Sequence, residues 1–290
     1  VRSTGNSFGD IDFGQATGTY YQEKMEIPFL MHYLKGAPAE TLAEANIFVT
    51  GSNQWKQFTQ WPPKESENKT LYFHENGKLS FSKPSSGESF DQYESDPNTP
   101  VPYQDGVQAR RSREYMIDDQ RFAARRPDVK VYQTDVLTED ITLTGPLLAD
   151  LQVSTTGTDA DYVVKLIDVH PEDAVATVAH AKEVMLGGYQ MLVRGEIMRG
   201  KFRNSFEKPE PFVPGQVTQV KYELPDVAHT FKKGHRIMIQ VQNSWFPLAD
   251  RNPQKFVDIY TAKEEDFQKA QHRIYHDASH ASSLILTVLK

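Results

Sequence analysis

The clearest helical pattern lies near the start of the chain. Over residues 20–35, apolar side chains at Tyr21, Met25, Phe29, Leu30, Tyr33 and Leu34 recur at the three- and four-residue spacing that lines one helical face. Gly36 follows as a natural C-cap. Pro28 falls inside the pattern, and a proline that lacks an N–H and crowds the carbonyl four residues back predicts a kink there. After Gly36-Ala37-Pro38 the period changes. Stretches at 45–50, 69–74, 129–134, 147–155, 162–169, 218–224, 236–242 and 282–288 are short, β-branched or aromatic, and mostly bounded by turn-forming residues, which predicts strands. His74-Glu75-Asn76-Gly77-Lys78-Leu79 sets Asn-Gly between two apolar runs, a hairpin signal. Many short strands without alternating helices predict a mainly β chain, an antiparallel β-sandwich of jelly-roll type. Residues 1–19 have no period and read as loop. The polar, proline-bearing stretches at 83–115 and 208–215 read as long loops lying over a surface or against another domain.

Composition narrows the function classes. Of 290 residues, 38% are hydrophobic and 11% aromatic, enough for a large core in one or two domains. The net charge of −7 and the lack of a basic stripe argue against nucleic acid, since Arg110, Arg111, Arg113, Arg121, Arg125 and Arg126 are interleaved with Glu114, Asp118 and Asp119. With no cysteine, disulfides, thiolate metal sites and a cysteine nucleophile are excluded. No apolar run is long enough for a helical membrane span.

Four constellations bear on chemistry. Gly5-Asn6-Ser7-Phe8-Gly9 fits the G-x-S-x-G string of a nucleophile elbow, but that turn needs a strand feeding in and a helix leading out, and neither pattern flanks Ser7. His272, His276 and His280 are spaced to align on a helix, yet Asp277-Ala278-Ser279 reads as a turn and a strand pattern follows, so hydrogen bonding at a strand end is the better reading than a metal site. Asp159, Asp161 and Asp168 suggest a calcium loop but lack the later oxygen ligands; a hairpin turn with Asp168 at the far end of a strand explains them as well. Trp55, Trp61, Trp245, Tyr20, Tyr21, Tyr93 and Phe246 suit either packing anchors or a sugar-stacking platform.

Several ordered stretches resemble a known family. Thr50-Gly51-Ser52-Asn53-Gln54-Trp55 with Trp61-Pro62, Leu71-Tyr72-Phe73-His74, Tyr93-Glu94-Ser95-Asp96-Pro97, Arg126-Pro127-Asp128-Val129, Asp159-Ala160-Asp161-Tyr162, Tyr189-Gln190-Met191-Leu192-Val193-Arg194, Gly234-His235-Arg236-Ile237 and Ser244-Trp245-Phe246-Pro247 occur in order. Residues 28–290 resemble the C-terminal domain of the X-prolyl dipeptidyl-peptidase/cocaine-esterase hydrolase superfamily, most of all α-amino-acid ester hydrolases and glutaryl-7-aminocephalosporanic acid acylases. The resemblance implies two parts: residues 1–36 as the trailing loop and helix of an α/β-hydrolase catalytic domain, and 37–290 as a non-catalytic jelly-roll sandwich. It places the catalytic serine, aspartate and histidine upstream of Val1, so no catalytic residue is assigned here.

The implied parent reaction is acyl transfer through a serine acyl-enzyme on esters or amides. The sandwich would supply structure, self-association and one wall of the substrate pocket, with Trp55, Tyr93, Trp245 and Phe246 at that wall or at the domain interface. The implied partners are the chain's own catalytic domain and further copies of itself, with no nucleic acid, membrane, cofactor or metal. The family's habit points to the periplasm or secretion. A free-standing carbohydrate-binding module is the alternative; the apolar helix at 20–35 argues against it, because a self-contained sandwich has no use for that face. An intact small hydrolase using Ser7 fails on the missing strand–turn–helix context.

Overall fold

A computed structural model of the chain describes residues 3–38, 43–106, 110–179 and 182–290. It opens with a two-residue ladder, β1 (Ser7–Phe8) and β2 (Ile11–Asp12), then α1 (Thr17–Tyr21), a π-helical turn (Gln22–Glu26) and α2 (Ile27–Lys35). The expected helix is present and ends on Gly36 in the left-handed conformation, φ 68°. At Pro28 the chain inserts the wider π turn just upstream, so that Pro28 falls in the first turn of α2, where its missing N–H costs nothing.

A hairpin follows, β3 (Ala45–Val49) and β4 (Gln54–Phe58), then β5 (Ser66–His74), β6 (Lys78–Ser80) and β7 (Phe90–Ser95). Asn76 and Gly77 both take positive φ, 61° and 67°, at the turn that pairs Phe73 with Leu79, so the Asn-Gly signal marks a real hairpin. Residues 107–109 of the long polar stretch lie outside the described residues. After α3 (Arg121–Ala124) come β8 (Lys130–Gln133), β9 (Ile141–Thr155) and β10 (Asp161–Val169). The chain continues with β11 (Thr177–Ala179), β12 (Lys182–Val184), β13 (Gln190–Arg199), β14 (Thr218–Phe231), β15 (Arg236–Gln242), β16 (Ala270–Tyr275) and β17 (Ser283–Leu289).

Eleven strands share one hydrogen-bonded sheet in the order β13-β10-β15-β8-β6-β5-β17-β9-β16-β7, with β14 on the free side of β9. Every pairing is antiparallel except a single parallel contact between β6 and β8. The sheet folds over one main core. Leu143, Leu147 and Leu151 of β9 and Val220 and Leu224 of β14 meet Val164 and Leu166 of β10 and Ile239 of β15. This is the mainly β sandwich that the sequence predicts.

Two strands run further than the pattern indicates. β9 begins at Ile141, ahead of Gly145-Pro146, and β14 continues through Pro225 to Phe231. The register slips between Leu224 and Val227, so Pro225 and Asp226 form a bulge where no ladder bond is required of the proline. β10 lies between β13 and β15 and is buried from Asp161 to Asp168. Its even-numbered side chains enter the main core, while Val163 and Ile167 enter a second cluster with Tyr103, Leu192, Met238 and Trp245.

Candidate functional site

The alternation of β10 determines where its polar residues go. Asp168 continues the inward row Tyr162, Val164, Leu166, and His229 stands in the inward row of β14 between Val227 and Phe231. Where the facing rows run out, the apolar core gives way to a cavity of about 580 Å³. Asp168 and His229 lie at its base, each only 1% exposed. Its walls come from three directions: Ile11 and Phe13 of the N-terminal ladder, Phe48 and Trp61 around the β3–β4 hairpin, and Met191 and Arg194 of β13.

A buried carboxylate must be paired, and here imidazoles do it. His229 Nε2–H donates to Asp168 Oδ2 at 3.2 Å, and His235 Nδ1–H donates to Oδ1 at 2.8 Å. Burial works against ionisation of Asp168, but these two donors outweigh it and hold the carboxyl down at about 2. His170 sits beside them, its Nε2 3.9 Å from Asp168 Oδ2 and its ring centroid 4.7 Å from that of His235. The strand register brings these rings together. Val169 pairs with Arg236, so the next residue outward on β10, His170, stands beside the residue that precedes β15, His235. Burial depresses the basicity of His170, against the attraction of Asp168.

His229 Nδ1 meets Thr50 Oγ1 at 2.9 Å. Thr50 is itself stitched to β14, its N–H donating to Ala228 O and its carbonyl accepting from Thr230 N–H. The next residue, Gly51, has φ 79°, and a Cβ there would run into the Thr230 carbonyl and the His229 ring. Glycine is therefore what lets the hairpin lie against the imidazole. The bulge aims Asp226 at the cavity rim, where its carboxylate accepts from Trp61 Nε1–H and its carbonyl accepts from Arg194 Nη2 at 2.7 Å.

The residues expected at a pocket wall or domain interface do not line this cavity. Trp55 stacks on Tyr20 with centroids 4.8 Å apart and ties the N-terminal helix to the hairpin. Tyr93 is 5% exposed inside the main core, packed against His272. Trp245 lies beneath the surface with Lys165 Nζ 5.5 Å from its ring, and its neighbour Phe246 is 38% exposed.

The remaining sequence candidates disperse in the same way. Ser7 faces Asp12 in the small ladder, nine strand-and-loop residues pass before the helix starts at Thr17, and among the described residues no histidine hydrogen-bonds its hydroxyl. His272 on β16 bonds Gln254 and is held down to about 3 by burial; His276 Nε2 lies 3.3 Å from Asp91; His280 turns to Asp277. These three are strand and turn residues, as their flanks indicate. Asp161 is clamped by Arg199 through two 3.0 Å bonds and by Asn252 at 2.7 Å, and Asp159 accepts the backbone N–H of Lys201 and Ala160. Both oxygens of Asp161 and Oδ1 of Asp159 are thus bonded to protein donors.

The histidines around Asp168 carry no sequence signal as a group. His170 stands 59 residues before His229 and 65 before His235, and strand register brings the rings together.

Residues 38–285 match the family model described as the X-Pro dipeptidyl-peptidase C-terminal non-catalytic domain. The chain is 30% identical to a cocaine esterase of Rhodococcus sp. (strain MB1 Bresler) over 97% of its own length and 48% of that protein. Among solved structures, an aminopeptidase from a marine-sediment Thaumarchaeota archaeon superimposes with a TM-score of 0.92 at 40% identity, covering 99% of this chain and 47% of the other. An α-amino acid ester hydrolase gives 0.88 at 38% identity, covering 98% and 47%. The chain spans about half the length of each of these relatives.

Proposed function

The chain belongs to the X-Pro dipeptidyl-peptidase C-terminal non-catalytic domain family, and from that membership we propose that it is the accessory sandwich of a serine hydrolase acting on esters or amides. The catalytic triad of that enzyme lies on a separate α/β domain, and residues 1–36 are its trailing segment. The observation that carries this reading is the N-terminal helix. Not one residue of α1, the π turn or α2 is buried, and Ile27, Phe29, Leu30, Met31, Tyr33 and Leu34 are between 44% and 73% exposed. An apolar face of that size on a helix joined to the sandwich by the Trp55–Tyr20 stack calls for a partner. A catalytic domain that makes up the other half of the relatives' length is the fitting one. The names of those relatives, esterase, aminopeptidase and ester hydrolase, support acyl transfer at an ester or amide carbonyl as the parent chemistry. In that enzyme the sandwich braces the catalytic domain, and Ile11 and Phe13 of the trailing segment line its cavity.

The test is covalent labelling of the 290-residue chain with a fluorophosphonate probe, read by intact mass, together with binding of an apolar-surface dye. The expected result is no adduct, and dye binding that falls in a Leu30→Ser/Leu34→Ser variant of unchanged melting temperature. A stoichiometric adduct on Ser7 or Thr50 overturns the reading, as does dye binding indifferent to the helix substitutions.

A further inference from the structure

We propose that Asp168, His170 and His235 form a binding site for one divalent transition metal ion of the zinc class, opening onto the cavity between β10, β14 and the β3–β4 hairpin. The proposal does not depend on what covers the N-terminal helix.

Donor chemistry comes first. One oxygen of Asp168 and one nitrogen from each of His170 and His235 all lie within 4.8 Å of one another. Two imidazoles and one carboxylate suit zinc and its first-row neighbours; calcium and magnesium take oxygen shells. The geometry is close to a metal's requirement. Ligands about 2.0–2.1 Å from a tetrahedral ion sit roughly 3.3 Å from each other. His235 Nδ1 is 2.8 Å from Asp168 Oδ1 and His170 Nε2 is 3.9 Å from Oδ2, and one donor atom from each of the three residues lies within 4.8 Å of the others, so the set contracts by up to about 1.5 Å to hold an ion. Both histidine backbones are fixed, His170 N–H on Tyr189 O and His235 N–H on Lys232 O.

Proton bookkeeping is straightforward. His235 moves its proton from Nδ1 to Nε2, freeing the Nδ1 lone pair without changing its charge. His170 makes no side-chain hydrogen bond among the described residues, so its Nε2 lone pair has no competing donor to give up. The supporting shell is present too. His229 Nε2–H holds Asp168 Oδ2 and is itself set by Thr50, the carboxylate-orienting arrangement that surrounds metal sites. Three protein ligands leave a fourth position, and all three residues line the cavity.

The experiment uses the untagged chain after chelator treatment. Titration with Co²⁺ should give visible d–d absorption that saturates at one equivalent and is displaced by Zn²⁺. His170→Ala and His235→Ala should each weaken binding by about 100-fold or more, and His229→Gln by about 10- to 100-fold. His280→Ala, on a half-buried histidine that bonds Asp277 instead, should bind like the parent. Because a substituted histidine near the core can unsettle the fold, the zinc-loaded parent is also examined by X-ray absorption, where two imidazole scatterers are expected. The proposal is overturned if saturating Co²⁺ and Zn²⁺ give neither absorption nor heat, if the His170→Ala/His235→Ala double variant binds undiminished, or if the absorption spectrum shows fewer than two imidazoles.

Discussion

Strand β10 carries a buried aspartate at each end, and the two are handled in opposite ways. At its start, Asp161 meets a permanent cation, the forked guanidinium of Arg199, with Asn252 and the Asp250 carbonyl completing the network. At its end, Asp168 meets only imidazoles, each able to change tautomer or lose its proton, and a cavity adjoins it. Both carboxylates are 1% exposed. Equal burial therefore does not mean equal function. A carboxylate closed off by arginine and amide groups is a brace, whereas one ringed by histidines beside open volume can exchange its partner for a ligand.

The brace is the place to expect the largest effect. Arg199→Met removes the fork and leaves Asp161 buried and unpaired, which should cost about 3–5 kcal/mol in denaturant unfolding. Adding Asp161→Asn should recover much of that loss. A single variant that loses less than about 1 kcal/mol would erase the distinction between the two ends.

Between the ends stands Lys165, fully buried, with Gln120 Oε1 at 3.0 Å and no carboxylate partner among the described residues. Burial lowers its pKa to about 7 from 10.5. The folded state prefers it neutral while the unfolded chain keeps it charged, so stability rises with pH between about 7 and 10.5 and the full penalty is present below that window. Lys165→Met should therefore raise the melting temperature most at pH values below about 7, and the gain should shrink toward pH 10.5. A gain independent of pH would mean that packing, not charge, is what the substitution repairs.

The third effect is smaller and also makes stability rise with pH, but in the acid range. Asp168 titrates near 2 when folded, below its ordinary 3.8, so the stabilisation it brings is complete above about 4 and is lost as pH falls through 2. The difference amounts to about 2 kcal/mol. Asp168→Asn should flatten the acid limb of a stability–pH curve by that amount while leaving the alkaline limb, which belongs to Lys165, in place. An acid limb that survives the substitution assigns the effect to other carboxylates.

How much of this could be read from the sequence differs between the same two regions. The strand itself was legible, since Tyr162 to Val169 is apolar on both faces and a centrally paired strand buries both. The Asp159-Ala160-Asp161 turn was legible as structure rather than as a calcium loop, because no later oxygen ligands followed. The Asp168 cluster was not. Its histidines come from the ends of β10, β14 and β15, and only the pairing of Val169 with Arg236 and the facing of two inward rows bring them together. His272, His276 and His280 had the regular spacing and proved to be unrelated neighbours of Gln254, Asp91 and Asp277. The extra length of β9 and β14 was hidden for a related reason. Gly145-Pro146 and Pro225 look like strand breakers until they are seen to lie at a bulge. β13 escaped detection because Arg194 and Gly195 interrupt its alternation, which an edge strand tolerates.

The position of β17 has a consequence for how such a molecule is made. Its residues Ser283–Leu289 pair with β5 on one side and with β9 on the other, so the last strand of this sequence is an interior plank of the sheet. A ribosome delivers those residues more than two hundred positions after β5 and more than one hundred after β9. Until they emerge, β5 and β9 each present an unfilled row of backbone donors and acceptors, and the nascent chain must wait with both rows open to whatever else can pair with them.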